Sequence, residues 1–132
     1  MKRYVLLIMI AFLLAACTSG KTEFFPSRGY SADAAEVTVI RQRRMWGMGF
    51  SMKVLLDGKV IARLKAGQYV SFYTAAGVRT IAIPDSSARA ALEAGGKHYF
   101  LIKTDSSQFG FEIERIGEKK ATQMMAQSRP IE

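Results

Sequence analysis

The stretch from Met52 to Ile83 most constrains the fold, because it consists of short runs of alternating apolar and polar residues divided by three turn signals. Each turn signal ends in a glycine, which adopts backbone conformations that a Cβ disfavours. The pattern predicts four antiparallel strands in a β-meander, onto which the rest of the chain packs. The predicted turn glycines are Gly58, Gly67 and Gly77.

Residue parity predicts the loop of the first hairpin, which turns at Asp57 and Gly58. The even-numbered residues of both strands are apolar, whereas the odd-numbered set includes cations. A two-residue loop would place Val54 opposite Ile61 and mix the two sets on one face. We therefore predict a three-residue loop, with Gly58 at positive φ in a bulge, an apolar even-numbered face and a solvated odd-numbered face. The cations on the solvated face are Lys53, Lys59 and Arg63.

The N-terminus carries the most specific motif in the chain. Two basic residues precede an uncharged run at 4–14, which is long enough for a signal peptide and short for a membrane-spanning helix. The sequence LAAC at 14–17 then resembles the bacterial lipobox, which predicts cleavage of residues 1–16 and acylation of Cys17. Cys17 is the only cysteine, so no intramolecular disulfide competes for it. An ordinary secretory signal or an uncleaved anchor helix is the alternative.

These features predict a lipid-anchored protein of the bacterial cell envelope that faces the periplasm. Thr18 follows the cysteine, where an inner-membrane retention signal typically has Asp, so the outer membrane is favoured. Residues 17–35 contain Gly, Ser and Pro and form the predicted lipidated N-terminus and linker. Residues 36–117 form the predicted domain, and residues 118–132 a short helix and tail whose methionines pack on the sheet or remain free for a partner.

The predicted domain is an all-β antiparallel sandwich or open barrel of about seven or eight short strands. Residues 36–43 are the first strand, and the pattern at 97–104 and 109–116 predicts the last two. Residues 88–93 fit either one helical turn or an edge strand. The remaining loop, at 44–50, combines glycines with large apolar residues and follows several arginines.

This loop has two interpretations. Its apolar residues cover an open end of the sandwich while the arginines are solvated, or the loop is an exposed basic and aromatic patch. In the second interpretation it contacts an anionic lipid, an acidic glycan or an acidic envelope protein. The residues of the candidate contact surface are Arg41, Arg43, Arg44, Trp46 and Phe50.

The order of motifs resembles the family of bacterial domains of unknown function 2846, over about residues 35–126. The segments that carry the resemblance are VIR at 39–41, LDGK at 56–59, AGQY at 66–69, AGVRTI at 76–81 and GGKHYF at 95–100. The chain departs from the family pattern at Ala76, Arg79 and His98, where proline, histidine and tyrosine are usual. The resemblance implies a small exported β-sandwich, often on a lipoprotein, and no known activity.

The sequence offers no constellation of catalytic or metal-ligating residues. His98 is the only histidine, the serines lack a nucleophile-elbow context, and no phosphate-binding glycine loop opens a helix. We therefore predict a non-enzymatic binding or scaffolding module without a cofactor or metal. The alternative is a small envelope enzyme or ligand carrier with a pocket around Tyr69, Tyr73, His98 and Tyr99. The formal net charge of +8 favours an anionic partner, and export excludes nucleic acid.

Overall fold

A computed structural model of the chain describes residues 32–43, 50–107 and 110–131. Within these ranges the chain forms a β-sandwich of two sheets with one short helix, which confirms the predicted all-β class. The strands are β1 (Ala34–Arg41), β2 (Met52–Leu56), β3 (Lys59–Leu64), β4 (Gln68–Ala75), β5 (Gly77–Ile83), β6 (Ser86–Leu92), β7 (Lys97–Thr104), β8 (Phe111–Ile116) and β9 (Arg129–Pro130), and helix α1 (Glu118–Ala126) lies between the last two strands.

Several predictions fall outside the described residues. These are the signal peptide at 1–16, the lipidated Cys17, the linker up to residue 31, and Arg44 and Trp46 of the loop. Among the described residues, no helix is long and apolar enough to cross a bilayer. The linker prediction is corrected at its end, because β1 begins at Ala34 and not at residue 36.

The strand order corrects the predicted meander. The five-stranded sheet has the order β8-β7-β1-β4-β9, and the four-stranded sheet has the order β3-β2-β5-β6. β4 therefore leaves its sequence neighbours and pairs antiparallel with β1, while β5 returns to pair with β2. Gly67 and Gly77 do have positive φ, of 77° and 118°, but the turns that contain them join strands of different sheets. A turn signal marks a reversal of the chain and does not specify which sheet the next strand joins.

The β2–β3 hairpin corrects the predicted loop length, and it keeps the predicted faces only beyond its bulge, because Val60 lies beside Leu55 on the outer face and Ile61 is buried. Leu56 pairs with Lys59, so the loop is the two residues Asp57 and Gly58, with φ of 49° and 84°. These positive values at both positions are typical of a type I′ turn. A register shift at Val54/Leu55 then acts as a β-bulge, because Leu55 pairs with Val60 and Val54 pairs with Ala62. Even-numbered residues consequently pair with even-numbered ones beyond the bulge, and Ile61 is buried as well as Ala62.

Apolar side chains from both sheets fill the interior of the sandwich. Val37 and Val39 of β1 face Val54, Leu56 and other side chains of the four-stranded sheet in one cluster. Burying a side chain of this size contributes about 1.5–3 kcal/mol to folding. The largest apolar side chains of this cluster with less than 2 % exposure are Phe100, Leu64, Ile81 and Ile102.

Helix α1 packs on the outer face of the five-stranded sheet. Ala121 is fully buried against Ile40 and Leu101, and Met124 and Met125 pack at the margin of the same cluster. Of the two interpretations of these methionines, the structure agrees with packing on the sheet. After the helix the chain forms β9, which pairs parallel with β4 and was not predicted. Residues 88–92 of the ambiguous segment belong to the edge strand β6.

Candidate functional site

Arg41 belongs to the interior of the protein, which corrects its assignment to a contact surface. Its side chain is 0 % exposed, and one Nη donates to the carbonyl oxygens of Phe50 and Leu64, each at 2.7 Å. The guanidinium carbon lies 4.8 Å from the ring centroid of Phe50 and 5.8 Å from that of Phe111. Burial lowers the pKa of the Arg41 guanidinium from its ordinary value. The alternation of β1 explains the orientation, because Arg41 continues the inward-facing series of Val37 and Val39.

Phe50 partly covers this end of the sandwich. It is 44 % exposed and packs edge-to-face against Phe111, with ring centroids 5.8 Å apart. This packing agrees with the interpretation in which apolar residues of the loop cover an open end of the sandwich. The agreement concerns Phe50 alone. Because Phe50 is exposed, it remains within the candidate contact surface.

Arg43 is exposed, as the sequence predicts, and lines a shallow cleft of about 350 Å³. Its Cγ lies near Gly67, where an added Cβ would come within 3.4 Å. Arg129 also lines the cleft, and no sequence pattern predicts that it lies near Arg43. Neither arginine takes part in an ion pair among the described residues. The other lining residues are Ala66 and Gln127.

The four residues of the predicted pocket do not come together. His98 is aligned with Val37 and faces the interior, whereas Tyr99 is aligned with Thr38 and faces outwards. Tyr69 and Tyr73 lie on that outer face as well, since Ile40 and Glu36 are their partners on β1. Tyr69 and Tyr73 instead line a separate cleft of about 260 Å³ beside β9. The prediction of one pocket around these residues is therefore wrong.

His98 makes structural contacts with both ring nitrogens. Nη2 of Arg115 donates to Nδ1 at 2.7 Å, so the ring proton lies on Nε2, which donates to the carbonyl oxygen of Glu93 at 3.3 Å. The ring is 5 % exposed, and a Cβ at Gly96 would lie 3.0 Å from Nε2. Arg115 also donates to the Ala91 carbonyl oxygen at 3.3 Å, so this side chain joins the edge strand β8 to the edge strand β6. Within the described ranges, no group of three or more His, Cys, Asp or Glu residues could hold a metal ion.

The outer face of the four-stranded sheet carries cations without acidic partners. Lys53 and Arg63 are directly opposite each other across β2 and β3, and both are exposed. Arg89 lies on the same face of β6, opposite Thr80. None of the ion pairs among the described residues includes these three cations. We call Lys53, Arg63 and Arg89 the basic face.

Sequence reasoning missed the basic face as a site, although it placed Lys53 and Arg63 in solvent. The parity of the hairpin was the available signal, because it put both cations in one odd-numbered set. The register shift that brings Lys53 opposite Arg63 has no comparable sequence signal. On the opposite side of the sandwich a cation does have acidic partners. There Nζ of Lys103 lies 3.3 Å from Oε1 of Glu112 and 3.1 Å from Oε2 of Glu114.

Comparison with known proteins adds little to this geometry. No family model and no curated protein matches the chain. The resemblance to the domains of unknown function 2846 therefore remains a prediction. A solved structure of the N-terminal domain of AlgF from P. aeruginosa is similar to this chain, at 10 % identity and a TM-score of 0.46. The match covers 67 % of this chain and 100 % of that one, and a likeness at this level carries no functional argument.

Proposed function

We propose that the protein is a lipid-anchored lipoprotein of the bacterial cell envelope, and that its domain is a non-enzymatic binding or scaffolding module. The observation that carries the proposal is the filled interior of the sandwich. Phe100 and Ile102 occupy the space between the sheets, and Arg41 and His98 are held in place by the contacts described above. Such a domain offers its partners surfaces and shallow clefts.

The contacts of His98 support the non-enzymatic assignment. A general base must come within about 2.6–3.2 Å of the proton that it removes from a substrate. His98 is 5 % exposed, and its ring nitrogens already contact Arg115 and Glu93. A substrate would have to displace one of these contacts before it reached the ring. A structural role for the histidine requires no such rearrangement.

The anchoring part of the proposal depends on the lipobox at 14–17. Acyl chains on Cys17 would hold the chain on the bilayer, since each buried CH₂ contributes about 0.8 kcal/mol. Because Thr18, and not Asp, follows the cysteine, the favoured location is the outer membrane, with the domain facing the periplasm. Removal of Lys2 and Arg3 with the signal peptide lowers the formal net charge from +8 to about +6. An acidic envelope protein, an acidic glycan or an anionic lipid is therefore the matching class of partner.

The alternative, an envelope enzyme or ligand carrier, has less support. Its predicted pocket would have combined His98 with three tyrosines, and these lie on opposite faces of the five-stranded sheet. A carrier could instead use the cleft of about 260 Å³ beside β9, which Tyr69, Tyr73, Pro130 and Ile131 line. This cleft lies at the edge of the five-stranded sheet, and His98 is not among its lining residues.

Crosslinking in intact envelope tests the proposal against this alternative. We expect that a reagent which joins amines to carboxylates will link the protein to envelope components. We also expect that mass spectrometry will detect no small molecule released when the purified protein is denatured. A matched variant, Tyr73→Phe, should leave the adducts unchanged. A stoichiometric small molecule that copurifies with the wild-type protein and is lost in Tyr73→Phe would overturn the binding module in favour of a carrier.

A further inference from the structure

We propose that the basic face docks the domain flat on an anionic lipid surface. This inference rests on the proposed function in one respect, since it names the partner that the binding module meets. It depends on Lys53, Arg63 and Arg89 and on the apolar side chains between them, and not on acylation of Cys17.

The first observation is the pair of like charges across β2 and β3. Lys53 and Arg63 are directly opposite each other, so their Cβ atoms lie about 4.5–5.5 Å apart. Like charges in this position destabilise a sheet, and an acidic residue at either position would have stabilised it. Neither cation takes part in an ion pair within the described ranges, so no carboxylate there offsets the repulsion. An anionic surface outside the domain would supply the missing countercharge.

The β-bulge of the hairpin fixes this arrangement. Without the register shift at Val54/Leu55, the pairing of Leu56 with Lys59 would continue and place Lys53 opposite Ala62. The shift moves Arg63 into that position while Ile61 and Ala62 both enter the core. The like-charge pair is therefore tied to core packing and is not left to the free movement of surface side chains.

The second observation is the character of the face between the cations. Leu55 and Val60 are paired and half-buried, and Ala82 is the neighbour of Leu55 on β5. Val78, which is 57 % exposed, continues this face beyond Arg89. Lysine and arginine have long apolar stems, which extend over such a surface while their charged ends reach the headgroups. An apolar patch with a cationic rim is typical of proteins that bind the interfacial region of anionic membranes.

The third observation is the contrast between the two sides of the sandwich. The outer face of the five-stranded sheet is covered by α1, and its Lys103 is neutralised by Glu112 and Glu114. Lys120 of the helix likewise lies 3.6 Å from Glu114. Because Lys103 and Lys120 have carboxylate partners and the three cations of the basic face have none among the described residues, an anionic surface would attract the domain through the basic face. We favour a bilayer over a small anion because this face is an open sheet, and the two clefts described above lie elsewhere.

The test places a fluorophore on either side of the sandwich, at Thr80→Cys on the basic face or at Gln123→Cys on the exposed side of α1. The full chain is held through a C-terminal polyhistidine tag on vesicles of chelator lipid in phosphatidylcholine, with or without phosphatidylglycerol. Cys17→Ala is present throughout, so attachment does not depend on acylation. We expect a lipid-borne quencher to act on the Thr80→Cys label only when phosphatidylglycerol is present, and not on the Gln123→Cys label. High salt should abolish the difference.

Variants of equal charge separate placement from net charge. Each cation near an anionic surface contributes about fivefold to the docking equilibrium, so Lys53→Gln with Arg63→Gln should weaken docking about twenty- to thirtyfold. Lys97→Gln with Lys119→Gln removes the same charge from exposed positions elsewhere and should change docking little. Equal losses in the two double variants would overturn the inference, because only net charge would then matter.

Arg63→Glu distinguishes docking from a structural role of the same residues. It places a carboxylate directly opposite Lys53, so we expect the thermal midpoint to hold or rise while docking is lost. Docking that persists in Arg63→Glu, or quenching equal at both label positions, would overturn the inference. Quenching in neither kind of vesicle would also overturn the inference. If the basic face then crosslinks to an acidic envelope protein, the proposed binding module remains intact.

Discussion

Arg41 holds a positive charge inside the sandwich because its contacts replace part of the hydration that burial removes. Carbonyl oxygens of Phe50 and Leu64 accept its hydrogen bonds, and two phenylalanine rings lie within 6 Å of the guanidinium. A planar, delocalised cation is easier to dehydrate than an ammonium group, which explains arginine at this position. In return, Arg41 supplies donors to carbonyl groups at an end of the sandwich.

Replacement of Arg41 by Leu should therefore destabilise the domain by about 2–4 kcal/mol, because it leaves buried or part-buried acceptors without their donor. Urea denaturation followed by far-ultraviolet circular dichroism measures the change. Arg43→Leu is the matched control, since Arg43 is exposed, and should stay within about 0.5 kcal/mol of the wild type. Equal effects of the two substitutions would contradict the structural role of Arg41.

Arg41 and His98 show what sequence reasoning achieves for single residues. The structural interpretation of His98 agrees with its contacts, because a lone histidine within an apolar strand usually finds hydrogen-bond partners. Arg41 was assigned to the surface from its charge, although it continues the alternation of Val37 and Val39. The partners that make its burial possible come from Phe50 and Leu64, which only the fold brings near.

The β2–β3 hairpin is the element in which local pattern and tertiary packing compete. Parity separated the two faces correctly for Met52, Val54, Ala62 and Leu64 but not for Val60 and Ile61, because it cannot locate the extra residue that restores the alternation. The prediction placed that residue in the loop, whereas the structure has a two-residue turn and a bulge near Val54. Burial of both Ile61 and Ala62 provides a physical reason for the bulge in the strand.

Asp57 connects this hairpin turn to β5. Its carboxylate accepts the Thr80 amide and a hydrogen bond from Arg79, each at 2.9 Å. These contacts, first the Thr80 amide and then Arg79, lower the pKa of Asp57. A carboxyl group whose pKa is lower in the folded state contributes stability above its unfolded pKa, which is about 3.9. That contribution is lost as the pH falls through the folded value.

We therefore expect the wild-type protein to lose more stability than Asp57→Asn when the pH falls from about 5 to below 3. Asparagine tolerates the positive φ of 49° at this position, so the comparison isolates the charge. Urea midpoints at a series of pH values give the measurement. Parallel pH profiles for the two proteins would show that the contacts of Asp57 do not change stability.

The turns at Gly67 and Gly77 mark the limit of prediction for whole elements. Their glycines, the strands between them and the all-β class were all predicted, because alternation and turn chemistry are local properties. The pairing of β4 with β1, and of β1 with β7 in parallel, depends on residues far apart in the chain. No local pattern carries that information, so a meander and a sandwich crossover give similar sequences in this stretch.

At the scale of the whole molecule, the domain and its predicted tether have separate physical bases. The core and the packed helix account for the fold of the described residues. The fourteen residues between Cys17 and residue 32 could span at most about 45–50 Å when fully extended. A tether of that reach permits either side of the sandwich to meet the bilayer, so the charge distribution would decide its orientation.

Cys17 decides whether such a tether exists. Substitution by Ala removes the thiol that a diacylglyceryl group would modify, and with it the acyl chains that hold the mature chain on a bilayer. In a bacterial host with lipoprotein processing, we expect wild type to incorporate a palmitate analogue and to sediment with membranes. Cys17→Ala should remain unlabelled and lose this stable attachment, whereas the neighbouring substitution Ser19→Ala should behave as wild type. An unlabelled wild-type protein would contradict acylation. If wild type is labelled but Cys17→Ala still resists extraction from the membrane, an uncleaved N-terminal helix also anchors the protein.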